Sequence, residues 1–142
     1  KFGDAYGLLA GHVCEQSDGE QAYCQSYLQG TDTWILFPKN RVPKEWQDIP
    51  NPVCRLVRAL YGHPDAGGHW EEHCDRILTH HNFRLVGSCY EWRSCYWHPT
   101  LRVLLVVYVD DFKMSGPVEN MAEGWRLFGE HIEIEPPTPL GL

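Results

Sequence analysis

The chain has 142 residues, the length of one ordinary domain, and a hydrophobic fraction of 43% with a charged fraction of 22% excludes a disordered polymer. Its strongest apolar run, Val103 to Tyr108, is far too short to span a bilayer, and Lys1 to Ala10 lack the apolar stretch of a signal peptide. Twelve Lys and Arg against nineteen Asp and Glu leave a net charge of -7, so the chain as a whole lacks the basic character of a nucleic-acid grip. The charge is uneven. Lys39, Arg41, Lys44, Arg55 and Arg58 meet only Glu45 and Asp48, whereas the chain after Tyr61 is predominantly acidic. That basic stretch reads equally as a solvated loop or as a phosphate-binding patch. No initiator Met is present, which suggests an excerpt or a processed piece.

Pro38, Pro43, Pro50 and Pro52 punctuate residues 38–52 and predict an exposed Pro-rich loop within one domain. Val53 to Leu60 follows as a predicted strand, and Gly62, Pro64, Gly67 and Gly68 as a turn-rich segment. From Gly68 the spacing of Trp70, Cys74, Ile77, Leu78 and Phe83 places them near one helical face, with Asn82 as the stop. Leu85 to Tyr90 and Glu91 to Trp97 read as short strands. Leu101 to Tyr108 is the best strand, and its unbroken apolar character predicts burial on both faces. Phe112 to Met114 reads as a returning strand. Ser115 is a candidate cap, with Pro117 in the first turn of a helix that runs to about His131 and buries Met121, Trp125 and Phe128. Ile132 to Glu135 reads as a last strand, and Pro136, Pro137 and Pro139 should stop regular structure. The order predicts an α+β fold, a mainly antiparallel sheet with helices packed on one face.

The six cysteines, Cys14, Cys24, Cys54, Cys74, Cys89 and Cys95, contain no CxxC spacing, so a zinc ribbon is not expected. Reduced, mostly buried thiols are expected, in keeping with a reducing intracellular compartment, while Cys89 and Cys95 stand where a hairpin would let them pair. His69-Trp70-Glu71-Glu72-His73 fits the inverted zincin pattern His-x-x-Glu-His. A zinc hydrolase would also need a third ligand and a substrate cleft.

The sharpest chemical feature is Tyr108-Val109-Asp110-Asp111, an apolar strand that ends in two adjacent carboxylates. Two such groups repel, and a divalent cation would relieve the repulsion; an ordinary Asp-rich turn is the plainer alternative. Asp18 is a third candidate ligand, because two-metal chemistry draws carboxylates from separate strands. Spacing alone does not bring it to Asp110.

Tyr108-Val109-Asp110-Asp111 resembles the Tyr-x-Asp-Asp signature of reverse transcriptases. Asp18-Gly19-Glu20-Gln21-Ala22-Tyr23 resembles the segment that carries their first catalytic Asp. Leu60-Tyr61-Gly62 with Ala66 and Trp70 is similar to a segment of copia-type retrotransposon polymerases, and Phe83-Arg84 before a hairpin also suits that family. The ordered matches run from Asp18 to Gly116. The resemblance implies a palm subdomain in which Asp18, Asp110 and Asp111 hold Mg²⁺ or Mn²⁺ for RNA-directed DNA synthesis on a primer-template with dNTP. Tyr23 would lie under the sugar. Most of the fingers would precede residue 1, and the thumb and any RNase H domain would follow Leu142. Asp65 stands where the family has a nucleotide-holding Gln, and His63-Pro64 replaces its Leu-Lys, so a carboxylate faces the triphosphate position and a positive charge is lost. Without fingers and thumb to hold template and nucleotide in line, the 142-residue chain is expected to be inactive alone. The acidic charge, Asp65 and the truncation support the alternative of a retroelement-derived, non-catalytic interaction module, or an accessory subunit with a protein partner in a larger assembly.

Overall fold

A computed structural model describes residues 1–87 and 94–140 of the chain. Elements follow in the order α1 (Phe2–Gly7), β1 (His12–Asp18), α2 (Ala22–Gln25), β2 (Trp34–Leu36), β3 (Val53–Arg55), α3 (Ala66–His80), β4 (Arg84–Leu85), β5 (Cys95–His98), β6 (Val103–Tyr108), β7 (Asp111–Pro117), α4 (Val118–Gly129) and β8 (Thr138–Pro139). Six strands form one antiparallel sheet in the order β4-β5-β6-β7-β1-β8, and β2 pairs with β3 in a separate ribbon. The fold is α+β. None of the described helices is long and apolar enough to cross a membrane.

β6 lies inside the sheet because Val-Leu-Leu-Val-Val supplies branched side chains to both faces. Val103, Leu105 and Val107 join Phe112 and Met114 of β7 in the core beneath α3 and α4. α3 contributes Trp70, Cys74, Ile77 and Leu78, and α4 contributes Met121, Trp125 and Phe128, so both long helices bury their apolar stripes on one sheet face. Phe112 and Phe128 meet edge to face with centroids 4.6 Å apart, worth about 1 kcal/mol beyond the area they bury. The Trp125 indole donates to Glu15 of β1 at 2.7 Å, which ties α4 to the strand beside the β8 edge on the same sheet face. Asn82, with φ 63, ends α3 in the left-handed conformation that its short polar side chain tolerates.

The opposite sheet face carries α1, which no apolar periodicity announces. Glycines let it sit close: a Cβ on Gly7 would stand 2.8 Å from Cys14 Cβ, and one on Gly3 would touch Ser115 and Val106. Lys113 of β7 pairs with Asp4 of α1 at 2.9 Å, and this bond holds the Asp4 carboxyl below its usual range.

Several predicted boundaries shift. The strand after the Pro-rich loop is only Val53–Arg55; beyond it the chain keeps single bonds to the preceding segment, from the Leu56 N–H to the Thr33 carbonyl and at the Tyr27–Arg58 bridge, without a continuous ladder. The loop itself is mostly exposed, contains two 3-10 turns at Lys39–Arg41 and Lys44–Trp46, and packs Phe37 against Trp46. Ser115 is no helix cap. It is buried within β7 and donates to Cys14 Sγ, and the cap position falls on Pro117. Residues 132–135 form one isolated bridge, Gly19 to Ile134, instead of a strand. Pro139 nevertheless joins the sheet at its edge, where a missing N–H is tolerated. Cys14, Cys24, Cys54, Cys74 and Cys95 are free thiols, and burial pushes the Cys74 and Cys95 thiols up. Cys89, and with it the alternative of a pairing to Cys95, lies outside the described residues, as do the ends of the two predicted strands around it.

Candidate functional site

The β6–β7 hairpin closes through the two-residue turn Val109–Asp110, with Tyr108 and Asp111 as register partners. Val109 has φ 56, an outlying conformation for a β-branched residue that costs roughly 1–2 kcal/mol. Positive φ at the first central position alone follows the type II′ pattern of tight hairpins. Two bonds hold the strained turn. The Trp70 indole N–H donates to the Val109 carbonyl at 2.5 Å, and the Gly19 N–H donates to the Asp110 carbonyl at 2.7 Å. The turn is therefore clamped by α3 and by the end of β1.

β1 brings the first carboxylate to this turn. Its last residue, Asp18, is the register partner of Asp111, although most of the chain separates them. Strand alternation places Asp18 and Asp111 on the face that also carries Gln16 and Lys113, toward α1. These residues, with Tyr108 and Val106, line a cleft of about 440 Å³. Asp18 and Asp111 are exposed and Asp110 is half-buried. Among the described residues none of the three carries an ion pair, since the nearby Lys113 is committed to Asp4.

On the other side of the turn stand two aromatic rings. Tyr23 of α2 is half-buried and packs on Tyr61 with centroids 4.6 Å apart. Burial raises the Tyr61 phenol, and the negative potential of Asp110, Cys24 and Tyr23 adds to the shift. Tyr61, quoted in the sequence only as part of Leu-Tyr-Gly, thus belongs to the same neighbourhood as Asp110 and Tyr23. Asp65 occupies the position before α3. It is exposed, its side chain makes no capping bond, and its N–H donates to His63 Nδ1 at 3.2 Å.

The donor chemistry of this hairpin suits a hard divalent cation, because its ligands are carboxylate oxygens. Asp18 and Asp111 are adjacent through strand pairing, and Asp110 is one residue away in the turn. Among the described residues no three His, Cys, Asp or Glu side chains already converge on one ion position. The same holds at His69 and His73. Arg76 donates to His73 Nδ1 at 3.1 Å, so the zincin-like pair has no assembled third ligand.

The basic stretch is split. Arg55 is paired with Asp32 at 2.6 Å, and Arg58 lies 3.9 Å over the Tyr27 ring, while Lys39, Arg41 and Lys44 are exposed. Two functional features escaped the sequence: the Trp70–Val109 bond and the Tyr23–Tyr61 pair. The only signals available were the residue types, since neither bond lies within one element.

The structure thus defines an α+β domain with a strained carboxylate hairpin beside a third aspartate. Comparison of the chain with protein-family models and with curated proteins finds no match to either.

Proposed function

We propose that the chain is the palm portion of a reverse transcriptase of the copia type, inactive by itself and supplying the catalytic carboxylates for template-directed nucleotidyl transfer when joined to fingers and thumb. The observation that carries this reading is the pairing of Asp18 with Asp111 at the mouth of the Tyr108–Asp111 hairpin. Asp18, Asp110 and Asp111 would hold Mg²⁺ or Mn²⁺, which when bound supplies Lewis-acid activation of a primer 3′-hydroxyl and stabilises the leaving pyrophosphate. The chain's own residues supply position. Trp70 and Gly19 fix the turn, and Tyr23, backed by Tyr61, offers a flat apolar surface for a sugar. Asp65, exposed before α3, presents a negative charge where the family resemblance expects a nucleotide-holding amide.

The test is template-dependent dNTP incorporation, measured on the 142-residue chain and on the same chain joined to fingers and thumb segments of a copia-type polymerase. The reading expects no incorporation by the chain alone, incorporation by the joined protein, loss with Asp110→Asn, and a gain with Asp65→Gln. Incorporation that survives both Asp18→Asn and Asp110→Asn would falsify it.

A second reading, a non-catalytic interaction module, is favoured by one observation. Trp34, Leu36 and Val53 share a face of the β2–β3 ribbon and are 59%, 59% and 51% exposed. Such a face suits a protein interface. Inactivity of the joined protein, together with stable complex formation that Trp34→Ser abolishes, would favour this reading over the polymerase.

A further inference from the structure

A second polar cavity, of about 390 Å³, opens between α2, α3 and the segment after α4. Arg58 and Arg76 line it, and among the described residues neither has a carboxylate at ion-pair distance. Arg58 is held rigidly: it stacks on Tyr27 and donates to the Gln25 carbonyl and, at 3.3 Å, to the Tyr27 hydroxyl. A guanidinium has five N–H donors, so these contacts leave it capacity for a ligand. Arg76 donates to His73 Nδ1, which places the neutral ring's proton on Nε2. That nitrogen is shielded from solvent and has no partner. Two guanidiniums without ion pairs beside one cavity suit an anionic acceptor, and the His73 ring stands next to them where a bound anion would be sensed.

We propose that this cavity binds a phosphate dianion, either free or as the terminal group of a small phosphomonoester, on Arg58 and Arg76, with the His73 ring as its neighbour. Burial and the two arginines hold His73 below its ordinary value, so the ring stands neutral beside the site and reports on a bound anion. Glu20 and Glu133 also line the wall, and their backbones are fixed there by Gln25. Its amide donates to the Glu20 and Glu133 carbonyls at 2.7 and 2.8 Å and accepts the Glu133 N–H. Both residues are exposed, which makes them a negative rim that limits affinity. The site stands independently of the polymerase reading, since it uses none of the hairpin carboxylates.

The test is an NMR titration of the full chain with inorganic phosphate at constant ionic strength, followed on the His73 ring resonances, with chloride as control. The proposal expects a saturable response to phosphate and none to chloride. Bound phosphate should raise the apparent His73 pKa. Arg76→Gln should weaken binding about tenfold, because it removes one charge-assisted contact. Glu133→Gln should tighten it. AMP in place of phosphate separates the sources: tighter binding assigns a phosphomonoester, and equal binding assigns free phosphate. Arg58→Gln should also weaken binding, but Arg58 supports the chain around Tyr27, so the exposed Arg76 provides the deciding variant. No saturable response at His73, or an equal response in folded Arg76→Gln, overturns the proposal.

Discussion

Val109 holds a backbone conformation that its branched side chain resists, and Trp70 supplies the bond that keeps it there. The indole is 1% exposed, so its N–H has no competing water. Trp70→Phe keeps most of the ring and removes the donor. It is expected to lower unfolding free energy by about 2 kcal/mol, from the orphaned carbonyl and the small void together, as read by urea denaturation. An unchanged midpoint would show that the bond contributes nothing to the turn. Gly116 makes a different demand. A Cβ there would meet the Arg102 carbonyl at 2.9 Å and Val103 Cα at 3.1 Å, both backbone atoms that cannot turn aside. Gly116→Ala should cost about 1–3 kcal/mol in the same assay. The sequence marks Gly116 only as a residue before Pro117; the close approach belongs to the register between β6 and β7.

His98 joins the β5–β6 turn to the residues that follow α3. Its Nδ1 accepts from the Leu101 N–H at 3.0 Å, and Phe83 packs edge-on at 4.9 Å. Protonating Nδ1 would oppose the Leu101 bond. Burial depresses the basicity of His98, and burial is also the leading cause at His81 and His73. A folded-state value below the unfolded 6.5 means that the unfolded chain binds more protons in acid. Stability is therefore fully present above pH 6.5 and falls as the pH drops from there toward the folded value. Urea midpoints at descending pH should decline in that window, and the decline should be shallower in His98→Gln. The Asp4–Lys113 pair acts lower down. Its contribution is present above the ordinary 3.8 of Asp4 and is lost as the pH falls through the depressed folded value. α3 and α4 were legible as elements because Trp70, Cys74, Ile77 and Leu78, and then Met121, Trp125 and Phe128, repeat at helical spacing. α1 was not, because six residues with two glycines carry no apolar stripe; its place depends on close backbone approach to β1.

Across the whole molecule, the α+β class followed from element order, and the two long helices share a sheet face as their stripes require. The hairpin was legible locally, since an apolar strand, two carboxylates and a returning strand are contiguous. The meeting of Asp18 with Asp111 was not, because antiparallel pairing between β1 and β7 leaves no periodic trace; only the resemblance anticipated it. The Tyr61 neighbourhood and the Arg58–Arg76 cavity depend on the same long-range pairing of distant segments. The central claim is that Asp18, Asp110 and Asp111 act together on a divalent cation. Adjacent carboxylates without ion pairs should accept Mn²⁺ with modest affinity, and binding to the native state alone should raise the melting temperature. The most direct measurement is paramagnetic broadening of backbone amide signals during a Mn²⁺ titration. The account predicts that broadening begins at Gly19, Val109 and Asp111 and is strongly reduced in both Asp18→Asn and Asp110→Asn. Broadening centred elsewhere, or equal in the parent and both variants, would contradict it and leave Asp110-Asp111 as an ordinary turn.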